Sequence, residues 1–201
     1  MPTKNAETFF TMQYLSQYII PPGAAFSALF RFAAGIIGGT ELNRQLALFD
    51  SILAEYDNLI SRICLGYART KEDFEDLRQD VYANIWTGIS SFRGEAKIKT
   101  WLYRITLNTC VSTLRRRTKA VQKIRFDEFA DIIDEDSERN MLLAELYETI
   151  STLPHLDKAI VLMWLDEISY DDIAEVIGMN RNTIAVRLHR AKDKLKKHYK
   201  S

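Results

Sequence analysis

From Glu41 onward, apolar residues recur at spacings of three and four and almost never alternate with polar ones, which is the period of amphipathic helices and not of strands. Leu46, Phe49, Ile52, Leu53 and Tyr56, followed by Leu59, Ile60, Ile63, Cys64 and Tyr67, predict one long helix or two stacked ones. A helix from Phe74 to Ile89 has Leu77, Val81 and Ile85 on its core face. After the loop from Ser90 to Glu95, a third runs from Ile98 to Arg117 and buries Ile98, Leu102 and Ile105. Residues from Thr118 to about Glu138 are charged and hold no steady period, which predicts a linker. A helix from Glu138 to Thr152, with Leu142, Leu146 and Ile150 inward, stops at Leu153-Pro154, because proline disfavours helix in the residue before it. Residues 155–201 complete a small bundle. The fold class is all-α: two small helical domains, 41–117 and 138–201, joined by a flexible acidic linker, 118–137, with an extension of unknown role at 1–40.

The segment SYDDIAEVIGMNRNTIAVRLHRAKDK, from Ser169 to Lys194, carries the sharpest local signals. Ser169 and Asp172 have capping-box spacing, so a helix should open near Tyr170. Ile173, Ala174 and Ile177 form its apolar face, Gly178 stands where the chain must turn sharply, and Asn180 can cap a second helix. In that second helix Ile184, Leu188, Ala191 and Leu195 form a buried stripe. Thr183, Arg187, Arg190 and Lys194 repeat the same spacing one residue earlier. A helix that buries one stripe and presents cations beside it suits a major groove, with Arg181 and Asn182 at the end best placed to reach base edges. The cations alone would equally suit a solvated face. The cap, the turn glycine and the spacing together favour a DNA-reading helix-turn-helix.

Charge is balanced overall, 27 basic against 27 acidic residues, so any nucleic-acid contact must be local. Residues 118–144 carry four basic and seven acidic side chains, whereas residues 93–117 are rich in Lys and Arg with Glu95 the lone acid. On the helix after the Arg93-Gly94 loop, Lys97, Trp101, Arg104, Asn108 and Arg115 fall on one narrow stripe at 100° per residue. A Trp among cations offers a stacking surface beside phosphate contacts, the chemistry that holds unpaired bases. A core Trp with solvated arginines fits the same stripe. The preceding helix carries Asp73, Asp76, Gln79 and Asp80 on one face. These acids could hold Mg²⁺ in a nuclease, but without a convergent histidine or further acid a solvated or partner-binding face suits them better.

Other chemistry is absent from the pattern. Cys64 and Cys110 lie in apolar surroundings without CxxC or Cys/His spacing and read as reduced core thiols of a cytoplasmic protein. His155, His189 and His198 are scattered, so no zinc site is expected, and no nucleotide-binding or hydrolase motif occurs. The apolar run from Ile19 to Gly39 is interrupted by Arg31 and preceded closely by Lys4 alone among basic residues; with Pro21-Pro22 inside it, it makes a poor signal peptide and a poor membrane span. No catalytic residue, metal or cofactor is assigned.

The segment FEDLRQDVYANIWTGISSFRGEAKIKTWLYRITLN, Phe74 to Asn108, resembles the second conserved region of bacterial sigma factors of the extracytoplasmic-function (ECF) group, within the sigma-70 family. The segment LPHLDKAIVLMWLDEISYDDIAEVIGMNRNTIAVRLHRAKDKL, Leu153 to Leu195, resembles their fourth region. The likeness runs from about Leu46 to Tyr199, and both motifs stand in the family's order. It implies a subunit that binds core RNA polymerase, melts a minus-ten promoter element with its first domain and reads a minus-thirty-five element with its second. By position it assigns Asp76, Leu77, Gln79, Asp80 and Trp86 to polymerase binding. Lys97, Lys99, Thr100, Trp101, Tyr103 and Arg104, joined by Arg93, Asn108 and Arg115, become the minus-ten set, and Arg181, Asn182, Thr183, Arg187 and Arg190, joined by Lys194 from the outward stripe, the minus-thirty-five set.

Two positions depart from the family pattern. Asn182-Thr183-Ile184-Ala185-Val186-Arg187 stands where members often carry Gly-Thr-Val-Lys-Ser-Arg, so Ala185 loses a lysine contact. Lys158 replaces the usual Arg, which removes a fork-like donor. The resemblance further implies core RNA polymerase, promoter DNA and an anti-sigma factor as partners, a monomer when free, and no stable membrane insertion. The alternative is a stand-alone helix-turn-helix regulator of duplex DNA, which would leave the Asp76 to Trp86 helix and the Trp101 stripe without a role.

Overall fold

The computed structural model describes residues 40–94, 96–117 and 138–198, and among these it contains seven α-helices and no strand. They are α1 Thr40–Tyr67, α2 Lys71–Ile89, α3 Ile98–Arg117, α4 Glu138–Ser151, α5 His155–Leu165, α6 Tyr170–Ile177 and α7 Arg181–His198. Of the extension expected at 1–40, residues 1–39 lie outside the described residues and Thr40 already opens α1; the expected linker, 118–137, also lies outside them. By packing, the chain divides into residues 1–55 and 56–201, a boundary inside α1. In the first unit Leu46, Phe49 and Ile52 are buried.

In the second unit, α2 begins at a cap and not at its first apolar residue. The Thr70 hydroxyl accepts from the Asp73 N–H at 3.1 Å, and Glu72 and Asp73 complement the positive helix end. α2 packs along α3, with Leu77, Val81 and Ile85 buried as the sequence implies. A polar seam accompanies that apolar contact. Asn84 donates to the Thr109 hydroxyl at 2.9 Å, which itself donates to the Ile105 carbonyl, and Thr113 donates to Asp80 at 3.2 Å. α3 buries Tyr103, Leu107, Cys110 and Leu114 besides Leu102, together with four threonines, while Ile105 is only half-buried. α3 is covered by α2 on one side and α6 on another, so its buried set is wider than a single stripe. Arg78 donates to both Asp57 oxygens, at 2.9 and 3.0 Å, and Tyr82 closes that α1–α2 network through its hydroxyl.

α7 packs on α5 and α6, and α4 on α5 and α7. On α4 the buried residues are Ala144, Tyr147 and Ile150, whereas Leu142 is 61% exposed, so the expected Leu142–Leu146–Ile150 stripe is turned by part of a helical step. Tyr147 supplies more area than Leu142, and burying it decides the rotation. The corner between α5 and α6 holds Glu167 at φ 59, in the left-handed region.

α1 approaches α5 closely at Gly66, where a Cβ would stand 2.7 Å from a Leu162 methyl. Next to it Lys158 is buried with its ammonium 4.9 Å over the Tyr67 ring, and the Tyr67 hydroxyl donates to the His155 carbonyl at 2.8 Å. Burial, chiefly, lowers the Lys158 pKa to about 8. An unfolded lysine keeps its proton to about pH 10.4, so between these values the unfolded chain binds more protons and stability rises with pH. Lys158→Met should stabilise the fold near neutral pH by up to about 3 kcal/mol, and should abolish the alkaline gain. Urea unfolding of both proteins near neutral pH and above the folded-state pKa tests it.

Candidate nucleic-acid interface

The helix-turn-helix forms where the local signals place it. Ser169 caps α6 by accepting from the Asp172 N–H at 3.1 Å. The return half of the expected box differs: the Ser169 hydroxyl donates to the Asp172 carboxylate at 2.6 Å. That bond first, and then Lys97, hold the Asp172 carboxyl below its ordinary pKa. Gly178 adopts φ 76, ψ 34, and its N–H closes the helix on the Ala174 carbonyl. Asn180 then caps α7, its Oδ1 accepting from the Thr183 N–H at 2.8 Å and the Thr183 hydroxyl at 2.9 Å. Ile184, Leu188 and Ala191 are buried and Leu195 half-buried, which fixes the rotation of α7.

That rotation leaves Arg181, Asn182, Arg190 and Lys194 exposed and Thr183 and Arg187 half-buried. Arg181 lies 5.6 Å over the Tyr170 ring and 3.4 Å from Asp171. Arg187 meets Asp157 at 2.7 Å. All six minus-thirty-five candidates thus share one helix and its start.

The α3 candidates are more dispersed. Arg93, Lys97, Asn108 and Arg115 are exposed, while Lys99, Trp101 and Arg104 are half-buried. Trp101 leans on Phe92, with ring centroids 4.9 Å apart at 41°, and lies over Gly88, where a Cβ would stand 3.1 Å from its ring. Thr100 and Tyr103 are buried, at 5% and 1% exposure. The Tyr103 hydroxyl donates to Asp166 at 2.7 Å, and Arg62 donates to the other oxygen of that carboxylate at 2.6 Å. Burial, then Asp166, raises the Tyr103 pKa.

α3 and α6 face each other through ion pairs that sequence reasoning missed. Lys97 meets Asp172 at 3.2 Å, and Arg104 meets Glu175 at 3.3 Å and its carbonyl at 2.9 Å. The partners are more than seventy residues apart, and the first-turn acid Asp172 is explained equally by the helix dipole. Of the polymerase set on α2, Asp76 is exposed, Gln79, Asp80 and Trp86 are half-buried, and Leu77 is a core residue. No group of three or more His, Cys, Asp or Glu able to hold a metal occurs among the described residues, and none of their helices is long and apolar enough to cross a membrane.

Residues 52–120 match the family model of sigma-70 region 2, and residues 143–195 that of sigma-70 region 4. The chain is 31% identical over 159 residues to the ECF RNA polymerase sigma-E factor of Haemophilus influenzae, covering 72% of this chain and 84% of that one. This chain is an ECF sigma factor of the sigma-70 family. It is also 25% identical over 146 residues to the RNA polymerase sigma factor SigV of Bacillus subtilis, covering 72% of this chain and 87% of that one. In fold it resembles CnrH, solved in complex with the cytosolic domain of CnrY, at TM-score 0.58 and 18% identity over 87% of this chain and 96% of that one. It also resembles the sigma factor RpoE of Bartonella quintana, solved with the anti-sigma factor NepR, at TM-score 0.59 and 20% identity over 76% and 96% of the two chains. In this sigma factor α2 and α3 lie in region 2 and α5 to α7 in region 4, so Lys97–Asp172, Arg104–Glu175 and Tyr103–Asp166 join the two regions.

The left-handed Gly178 sets the angle between α6 and α7. Gly178→Ala should cost about 1–2 kcal/mol, and Gly178→Asn less, because Asn tolerates that backbone. The thermal midpoints of the two variants should therefore rank Asn above Ala and both below the native chain.

Proposed function

We propose that this sigma factor directs promoter-specific initiation without catalytic residues of its own, acting in the cytoplasm. α2 binds core RNA polymerase through Asp76, Gln79, Asp80 and Trp86, with Leu77 holding that face to the core. α7 reads minus-thirty-five duplex through Arg181, Asn182, Thr183, Arg187, Arg190 and Lys194. The α3 stripe, with Trp101 as its stacking surface and Arg93, Lys97, Lys99, Arg104, Asn108 and Arg115 as its cations, receives the opened minus-ten strand; Thr100 and Tyr103 support it from within. The observation that carries this reading is the rotation of α7: burial of Ile184, Leu188 and Ala191 turns a row of cations and Asn182 outward from the start of a helix capped by Asn180.

Lys97 and Arg104 cannot hold a nucleic-acid strand and the acids of α6 with the same nitrogens. Both ion pairs are solvent-exposed and contribute about 0–1 kcal/mol each, so a phosphate backbone can displace Asp172 and Glu175. An anti-sigma factor is a further partner on this reading. It is supported by the likeness in fold to RpoE of Bartonella quintana, which was solved with the anti-sigma factor NepR.

Fluorescently labelled chains, full length and starting at Glu41, should bind core polymerase lacking sigma saturably in an anisotropy titration. Binding to duplex DNA with none to polymerase would replace this reading by the stand-alone regulator. Trp101→Ala should keep polymerase affinity but lower the permanganate reactivity of promoter thymines, the measure of strand opening. Unchanged reactivity would make Trp101 a packing residue only.

A further inference from the structure

The outward face of α7 contains an acid that no reading of the cations requires. Asp157, in the first turn of α5, reaches the α7 face and accepts from Arg187 Nη1 at 2.7 Å. Its side chain is 13% exposed, and that of Arg187 37%. The two residues line one groove of about 530 Å³ with Asn182, Thr183, Arg190 and Lys194. A carboxylate there opposes phosphate binding, so for general affinity the groove would be better without it.

Geometry gives the acid a use. A free arginine on a helix surface samples many rotamers and meets whichever phosphate is nearest, a contact that carries no sequence information. Arg187 is tied through one nitrogen, and among the described residues its Nε and Nη2 hold no protein partner. A guanidinium held this way loses less freedom on binding and presents a fixed pair of donors, the arrangement that matches the two acceptors of a guanine edge. The tether is itself well founded. Asp157 stands at the favourable end of α5, whose N-cap Pro154 makes no side-chain bond, and α5 is anchored by the buried run from Ala159 to Met163.

We propose that Asp157 is a positioning residue that holds Arg187 in register with one base pair, so that Arg187 adds sequence discrimination and not charge alone. This rests on α7 being the duplex reader. The test uses holoenzyme assembled from core RNA polymerase and the native, R187A, D157A or D157E chain, offered a library of promoter-length duplexes randomised upstream of the start site. Sequencing of bound duplexes gives the base preference at each position.

R187A should flatten one position, and D157A should flatten the same position, lowering its preferred-base ratio about tenfold. D157A should also leave affinity for unselected duplex equal or higher, and D157E should restore part of the preference. Thermal melting of each variant separates these effects from unfolding. Native preferences in D157A, or equal loss at every position, would overturn the role of Asp157. Absence of any preference in the native holoenzyme, or full retention in R187A, would instead overturn α7 as reader through Arg187, and the proposal with it.

Discussion

The Asp166 carboxylate, 8% exposed, accepts one bond from Arg62 on α1 and another from Tyr103 on α3 while ending α5. An acid so covered is tolerable only when its oxygens are satisfied, because removing one partner leaves one oxygen of the charge without a donor. Satisfying it fixes three helices at once. α5 is held against α1 and α3, α6 follows after a short corner, and the acids of α6 come to face the cations of α3. The exposed pairs Lys97–Asp172 and Arg104–Glu175 then add little energy but depend entirely on that alignment. The partly covered Asp166 cluster carries the arrangement, and the surface pairs follow from it.

Much of this was legible in the chain because it is written in short-range chemistry. Ser169, Gly178 and Asn180 act on neighbours within a few residues, so the turn and both helix starts could be placed from their identities alone. The buried stripe of α7 was equally plain. α4 was not, because Leu142, Leu143, Leu146 and Tyr147 offer two overlapping stripes, and only the surrounding helices choose the one with Ala144 and Tyr147. α1 proved one helix where its period allowed two.

The candidate site divides along the same line. Its residue types and helical faces could be read from spacing, and the family likeness supplied their grouping. The partners of its charges could not be read, since Asp157 lies thirty residues from Arg187, and Asp172 and Glu175 more than seventy from Lys97 and Arg104. No periodicity reports such pairings. Tyr103, whose phenol is turned inward onto Asp166, shows the same limit: its place on a basic helix says nothing about which way it faces.

Glu167, at φ 59, stands in the corner that delivers α6. A residue with a Cβ in left-handed backbone costs about 1–2 kcal/mol, and a β-branched one more, because the branch meets the following carbonyl. The corner therefore filters which sequences can keep the two regions in this alignment. Glycine would pass freely at position 167 and asparagine at a smaller cost than most residues, whereas valine, isoleucine or threonine would select against the corner itself. In evolutionary terms this one exposed position, which touches neither polymerase nor DNA in the proposed scheme, constrains substitution through backbone geometry alone.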